Sequence, residues 1–269
     1  MVKRISVLIL VLATLHVCKA QRASDYIECA KAGNVLCQYN LAICYDQGLG
    51  TSRDFKQAAY WYEKAAEQGN AIAQKNIGIM YHSGEGVARD IKKAAYWYEK
   101  SAEQGNKDAQ YNLGCLYAMS DGENRDMVKA AYWWRKAGEQ GVVSSQINLG
   151  TYYDAGVDTL KDDKKAFYWW EKAAKQGDAD SQFNTGNNYY NGAGVEQNTS
   201  KAIEWLEKAA RQGHKNAAKN LEIIKSRENF RKGQEELSKM LDNITPAADA
   251  EKEAKEAAAK KTQQKKKKK

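Results

Sequence analysis

Two stretches between residues 73 and 102 place apolar or small side chains at the same helical spacing, i, i+4, i+7 and i+8. These residues are Ala73, Ile77, Met80 and Tyr81 in the first stretch, and Ala94, Tyr98, Ser101 and Ala102 in the second. The spacing puts each set on one side of a helix and leaves polar side chains on the other side. It predicts a pair of amphipathic helices that each bury one face.

The residues around these helices indicate where each helix begins and ends. Gly84 lies where the first helix must stop, because glycine tolerates the left-handed dihedral angles of such a cap. Asp90 lies where the second helix needs a capping or acidic group at its N-terminus. Gly78 is unusual, since a glycine inside a helix costs about 1 kcal/mol relative to alanine. We expect a neighbouring helix to approach closely there and at its counterparts Gly114, Gly150 and Gly186.

The same pair of helices recurs every 36 residues without an insertion. The period is carried by Gly69, Gly105, Gly141, Gly177 and Gly213, by Trp61, Trp97, Trp133, Trp169 and Trp205, and by Tyr45, Tyr81, Tyr117, Tyr153 and Tyr189. A fixed period in this range is typical of a solenoid, in which each unit buries its apolar face against its neighbours. The sequence predicts five helical hairpins over residues 34–213. Two loops differ, with Ser120 replacing the first loop glycine of the third hairpin and Asp158 the second of the fourth.

The segments outside the hairpins have distinct characters. Residues 21–33 match only the second half of a unit and predict an N-terminal capping helix. Residues 214–245 predict a polar capping helix, which a solenoid needs to end its exposed face. Residues 246–269 follow the only proline, Pro246, and predict a disordered tail rich in lysine and alanine. Residues 1–20 combine basic residues, a short apolar run and small residues before Ala20, as a cleaved signal peptide does. We therefore expect export, to the periplasm of a Gram-negative cell or otherwise to the medium.

The net charge of +8 is not spread over the chain. From Ala247 onward, nine lysines face four acidic residues, which gives +5, and residues 1–20 contribute +3. The predicted hairpin array is therefore neutral. The tail, with Lys265 to Lys269 at its end, is either a solvated segment or a means of attachment to an anionic surface. We expect no specific binding to nucleic acid.

The cysteines are consistent with an exported protein. Cys29 and Cys37 are eight residues apart across a helix–helix turn, in register with Ala65 and Ala73 on the core faces of adjacent helices. An exported protein can keep a disulfide there, which would join the N-terminal helix to the first hairpin. The alternative is a pair of small buried thiols. Cys44 falls in a core register, whereas Cys115 lies off the main apolar stripe.

The repeated pieces NIGIMYHSGEGVARD and KKAAYWYEKSAEQG resemble the Sel-1-like repeat, a relative of the tetratricopeptide repeat. The resemblance covers nearly all of residues 24–221. It implies an all-α fold, a right-handed α/α superhelix of helical hairpins, that acts as a scaffold for protein or peptide partners. The spacing of Cys29 and Cys37 is similar to that of the Helicobacter cysteine-rich proteins. Members of that subgroup have been described as penicillin-binding or weakly hydrolysing β-lactams.

The sequence favours a binding protein over an enzyme. No serine in the array is followed three residues later by lysine, as a serine hydrolase of the β-lactam class requires. We find no catalytic set, metal site or cofactor motif. A β-lactam-binding or weak β-lactamase function remains an alternative, which turnover of nitrocefin would test. Surface adhesion or interaction with a host is a second alternative, which binding to whole cells would test.

A row of asparagines is the candidate binding site. In related superhelices the first helix of each hairpin lines a groove, and these side chains lie beside its apolar stripe. An amide there can donate to and accept from an extended peptide backbone or a carboxylate. The alternative is that each asparagine bonds to the neighbouring unit and fixes the stacking. The residues are Asn40, Asn76, Asn112, Asn148 and Asn184.

Overall fold

A computed structural model describes residues 22–119, 125–156 and 160–267. The chain divides into two compact units, one up to Gln176 and one from Gly177. The predicted signal peptide and the Ser120 and Asp158 loop positions lie outside the described residues. So do the last two lysines of the tail.

The described part of the first unit consists of helices in consecutive hairpins, preceded by one unpaired helix. Each hairpin helix has 13 residues. The helices are α1 (Ala23–Lys31), α2 (Val35–Gln47), α3 (Phe55–Glu67), α4 (Ala71–Ser83), α5 (Ile91–Glu103), α6 (Lys107–Met119), α7 (Met127–Glu139), α8 (Val143–Ala155) and α9 (Asp163–Lys175).

Short polar side chains and glycines set the helix boundaries. The Asp90 carboxylate accepts a hydrogen bond from the Lys93 backbone N–H at 3.0 Å, so it caps α5 as predicted. Gly84 ends α4 in the left-handed conformation, with φ at +83°, and its N–H donates to the Met80 carbonyl at 2.8 Å. The same devices recur at the other hairpins, with Asn34, Asn70 and Asp54 as N-caps and Gly48 as a C-cap.

Glycines inside the first helices allow the second helices to pack closely against them. A Cβ atom on Gly78 would lie 2.7 Å from Cδ1 of Tyr98, and one on Gly114 would lie 2.5 Å from Cδ1 of Trp134. A Cβ on Gly150 would overlap the Trp170 ring. The expected close approach is therefore confirmed. The large aromatic side chains fill the space that the absent Cβ leaves.

The second unit contains α10 (Ala179–Asn191), α11 (Thr199–Arg211) and α12 (Lys215–Lys267). Leu206, Ala209, Ala217 and Ile224 form its buried core. His214 caps α12, because its Nδ1 accepts from the Ala217 backbone N–H at 3.0 Å. The ring of His214 stacks on Phe183, and its Nε2 lies 3.1 Å from the Asp180 carboxylate.

The end of the chain differs from the sequence expectation. A disordered tail was expected from residue 246, but α12 continues as one helix through Lys267. Alanine, glutamate and lysine are strong helix formers and make up most of residues 247–261. In the structure their combined preference outweighs the interruption at Pro246, which costs about 3 kcal/mol.

A disulfide joins Cys29 in α1 to Cys37 in α2, with their Cα atoms 5.8 Å apart. Closure of so short a loop contributes about 2 to 3 kcal/mol in the chain-entropy model, so the bridge attaches the unpaired α1 to the first hairpin. Cys44 is buried and Cys115 is half-buried, and neither is in a disulfide. Within the described ranges, none of the helices combines the length and apolar character needed to cross a membrane.

Candidate functional site

The predicted asparagine row lies on the first helix of each hairpin. Asn40, Asn76, Asn112 and Asn148 are on α2, α4, α6 and α8 of the first unit, and Asn184 is on α10 of the second. All five side chains are half-buried. We call the surface that carries the first four, with the residues four positions before and three positions after each, the asparagine face.

One member of the row takes part in the packing between hairpins. The Asn76 amide lies near the Tyr62 oxygen, and the Tyr62 O–H donates to the Asp46 carboxylate at 3.4 Å. Burial, together with the nearby Asp46 carboxylate, raises the pKa of Tyr62 far above its usual value, so the phenol keeps its proton. The Asn76 side chain therefore lies where α4 packs against α3.

Asn112 and Asn148 are the next two members of the row. No side-chain hydrogen bond joins either amide to another residue in the described part of the chain. Trp134 occupies, relative to Asn148, the repeat position that Tyr62 occupies relative to Asn76. The indole of Trp134 has an N–H donor but no acceptor oxygen. Both amides are therefore available to a ligand.

The asparagine face is apolar at one end and polar at the other. Leu36 and Ile72, four residues before Asn40 and Asn76, are 62% and 46% exposed. Ile79, three residues after Asn76, is 38% exposed. On α6 and α8 the corresponding positions carry polar residues or cysteine, namely Asp108, Cys115, Ser144 and Thr151.

A second row of polar residues, which was not predicted from the sequence, consists of glutamines. Gln110 is 3% exposed, and its Nε2 donates to the Ala102 carbonyl at 3.0 Å. Its Oε1 accepts from Gln140 Nε2 at 2.9 Å, and the same nitrogen donates to the Gly105 carbonyl. The pattern recurs with Gln38 and Gln68, Gln74 and Gln104, Gln146 and Gln176, and Gln182 and Gln212. We call these residues the glutamine ladder.

The glutamine ladder satisfies backbone carbonyls where one hairpin meets the next. Buried polar groups must be hydrogen-bonded, so each ladder glutamine fixes the position of the helix that follows. A signal was present in the sequence, because glutamine recurs at both positions of every unit. The apolar periodicity does not predict that these glutamines are buried, since glutamine usually lies on the surface.

A row of tyrosines lies on the second helices of the first unit. Each has a tryptophan packed edge-on behind it and a lysine ammonium over its ring, as Lys172 lies 4.6 Å from the Tyr168 centroid. The tyrosines are half exposed, whereas the tryptophans at 97, 133 and 169 are buried. The chain's own lysines therefore occupy the exposed ring faces. The tyrosines are Tyr60, Tyr96, Tyr132 and Tyr168.

The structure places few chemically reactive groups together. Within the described part of the chain, no group of three or more His, Cys, Asp and Glu side chains is arranged to hold a metal ion. His82 is exposed at the end of α4, and His214 is held by the cap and by Asp180.

One 36-residue period underlies the glycine contacts, the helix caps and the glutamine ladder. The repeat with this period identifies the family. The sequence profile of the Sel1 repeat matches residues 35–70, 71–106, 107–142, 143–178 and 179–214. The chain belongs to the Sel1 repeat family. This membership, with the helical hairpins, confirms the predicted all-α solenoid. No curated protein sequence matches the chain.

Two solved structures with Sel1-like repeats resemble the chain over about two thirds or more of its length. The protective antigen c5321 of uropathogenic Escherichia coli, which displays an SLR fold, is 36% identical with a TM-score of 0.69. The match covers 74% of this chain and 43% of the antigen, so the chain spans less than half of that relative. A Sel1 repeat protein from Oxalobacter formigenes is 32% identical, with a TM-score of 0.61, over 67% of this chain and 74% of that protein. Helicobacter pylori cysteine rich protein B is 28% identical over 49% of this chain and 96% of its own, with a TM-score of 0.38.

Proposed function

We propose that this Sel1 repeat protein binds an extended segment of a partner protein along the asparagine face. The observation that carries the proposal is the pair of unpaired amides at Asn112 and Asn148. An amide side chain can donate to a backbone carbonyl and accept from a backbone N–H of an extended peptide. Asn76 is set apart from this role, because its amide lies beside the buried Tyr62 oxygen. The partner's main chain therefore runs across α6 and α8.

The exposed side chains of the asparagine face indicate the chemistry of the partner. Leu36, Ile72 and Ile79 form an apolar surface on α2 and α4, which favours aliphatic or aromatic side chains at one end of the bound segment. Asp108 and Ser144 beside the unpaired amides favour polar or basic side chains at the other end. A segment with an apolar half and a polar half fits this surface.

Replacement of Asn112 and Asn148 together by alanine is expected to weaken partner binding about tenfold or more, because two hydrogen bonds of about 0.5 to 1.5 kcal/mol each are lost. The melting temperature should change little, since no described residue depends on these amides. The partner is first captured by crosslinking to the mature protein in an extract of the source organism. Its affinity for the wild-type and variant proteins is then measured by titration.

The matched control for this experiment is Asn76→Ala. We expect it to lower the melting temperature, because the buried Tyr62 phenol loses the polar amide beside it, and to leave the affinity of the folded protein unchanged. Recovery of the same partner with equal affinity by the double variant would contradict the proposal. A large loss of stability in the double variant would show that Asn112 and Asn148 also fix the stacking.

We further propose that the protein is exported and that residues 1–20 are removed. The signal-peptide pattern supports this, and so does the Cys29–Cys37 disulfide, which persists in oxidising compartments. The Escherichia coli relative is described as a protective antigen, a description that fits exposure outside the cytoplasm.

Thiol counting tests export and the disulfide together. Maleimide labelling of the unfolded, unreduced protein isolated from its source should add two labels, on Cys44 and Cys115. Reduction before labelling should raise the number to four. A third label without reductant would place Cys18 in the isolated protein and contradict removal of the leader. Four labels without reductant would show that the disulfide is absent.

A further inference from the structure

One tyrosine position of the repeat has opposite surroundings in two successive hairpins. In the first hairpin, Tyr62 of α3 donates its O–H to the Asp46 carboxylate of α2 at 3.4 Å. Tyr98 of α5 is the counterpart of Tyr62 one repeat later, and His82 of α4 takes the position of Asp46. The ring centroids of Tyr98 and His82 lie 6.4 Å apart. A side chain that can carry positive charge therefore replaces the carboxylate that accepts from the tyrosine.

The phenol of Tyr98 has lost its acceptor. Tyr98 is 1% exposed, and no hydrogen bond joins its oxygen to another residue in the described part of the chain. In the described ranges, the polar side-chain atoms that are both unpaired and fully enclosed belong to other residues, so the Tyr98 oxygen retains access to the surface. Burial raises the pKa of Tyr98 above its usual value, so the phenol keeps its proton. A buried donor without an acceptor is unfavourable, and an acceptor from outside the chain would satisfy it.

Basic side chains surround this position. Lys75 takes the place of Tyr39, whose ring centroid lies 6.1 Å from that of Tyr62. Lys75 and His82 are seven residues apart, so they share one face of α4. Lys75 is half-buried, and within the described residues no carboxylate forms an ion pair with Lys75 or His82. Arg89 Nε donates to the His82 carbonyl at 3.1 Å, which adds a guanidinium charge at the end of α4.

The flanking first helices do not supply the missing carboxylate. α4 contains no acidic residue, and the only one in α2 is Asp46, which is engaged in the first hairpin. The only acidic residue of α6 is Asp108, which lies in its first turn. Ala118 is the counterpart of His82 on α6, ten residues after Asp108, or about 15 Å along a helix axis. The acidic side chain of α6 is therefore at the other end of the helix.

We propose that Lys75, His82 and Tyr98 bind the carboxylate of an acidic side chain in the partner segment, as Tyr62 binds Asp46. This inference rests on the proposed binding along the asparagine face and adds a specificity position to it. The apolar surface of that face lies on α2 and α4, and the unpaired amides of Asn112 and Asn148 lie on α6 and α8. The bound segment therefore continues on both sides of the site. Its carboxylate belongs to an aspartate or glutamate side chain rather than to a chain terminus.

Histidine NMR signals test the proposal, because the mature protein, residues 21–269, contains only two histidines, His82 and His214. The probe is aspartic acid blocked as its N-acetyl amide, and the matched neutral probe is the same derivative of asparagine. Both are titrated at constant pH and constant ionic strength. The acidic probe should shift the His82 ring signals with a dissociation constant on the order of 10 mM and leave those of His214 unchanged. The asparagine probe should shift neither.

Tyr98→Phe should weaken binding of the acidic probe about tenfold, because a hydrogen bond to a charged acceptor is lost. The melting temperature should stay that of the wild type, since the phenol has no partner within the described chain. Lys75→Gln should also weaken binding of the acidic probe, because the charge that attracts it is removed. The matched control is Tyr62→Phe, which removes the same phenol from the first hairpin and should leave the affinity for the probe unchanged.

Two results would overturn the proposal. One is a His82 signal that responds equally to both probes or to neither, and the other is a Tyr98→Phe protein that binds the acidic probe as tightly as the wild type. The Asn112→Ala/Asn148→Ala variant separates this inference from the proposed function, because it should lose the partner and still bind the acidic probe. Retention of both by that variant would contradict the proposed main-chain binding and leave the carboxylate site in place.

Discussion

Replacement of Gly86 by alanine is expected to lower the free energy of unfolding by about 3 to 5 kcal/mol. Gly86 lies in the loop between α4 and α5 with φ at +72°, which alanine adopts only with strain. A Cβ atom there would also overlap the backbone carbonyl of Phe55 and lie 3.0 Å from the Lys56 nitrogen. Both groups belong to the first turn of α3 in the preceding hairpin. Relief of the overlap requires the two hairpins to separate.

Gly105→Ala is the matched control for Gly86→Ala. Gly105 has a similar φ of +88°, but a Cβ atom there would have no neighbour within 4 Å. The control should therefore lose only the strain of the left-handed conformation, about 1 to 2 kcal/mol. Denaturant titration followed by circular dichroism measures both variants. Equal losses would show that the loop does not hold neighbouring hairpins together.

Local sequence signals were enough to predict most of the first unit. Asp90 and Gly84 lie at the ends of their helices because capping depends on a few adjacent residues and on backbone dihedral angles. The close approach at Gly78 was also predictable, since glycine in a helix interior needs a compensating contact. These features are local, or they recur in every 36-residue repeat, so a single sequence displays them.

Contacts between neighbouring 36-residue repeats were harder to predict. The second loop glycine, Gly86, has the same φ signature as Gly84, and only the structure shows that it packs on α3. Asn76, Asn112 and Asn148 are the same residue in the same register, yet only Asn76 lies beside a tyrosine that donates to a carboxylate. A fixed residue type therefore did not imply a fixed role.

The end of α12 shows a limit of composition as a guide. Low hydrophobicity and high charge suggested disorder after Pro246, but the same composition has a high helix propensity.

Replacement of Gln110 by glutamate is expected to leave stability near that of the wild type at about pH 4 and to lower it by about 3 kcal/mol at pH 7. The substitution keeps the shape of the side chain and changes only its donor. A protonated carboxyl can still donate to the Ala102 carbonyl, but a carboxylate there is buried and faces that oxygen. Burial therefore raises the pKa of the introduced carboxyl above the value of about 4.3 in the unfolded chain.

The sign of the pH dependence follows from this raised pKa. A group whose pKa is raised on folding stabilises the protein below the unfolded pKa, and that stability is lost as the pH rises towards the folded pKa. The difference between variant and wild type should thus grow from about pH 4 towards pH 7. Gln57→Glu on the exposed surface of α3 controls for the added charge and should show almost no such growth. Equal pH profiles for the two variants would mean that the glutamine ladder does not hold neighbouring hairpins in register. A loss confined to Gln110→Glu would show that the ladder depends on a neutral donor.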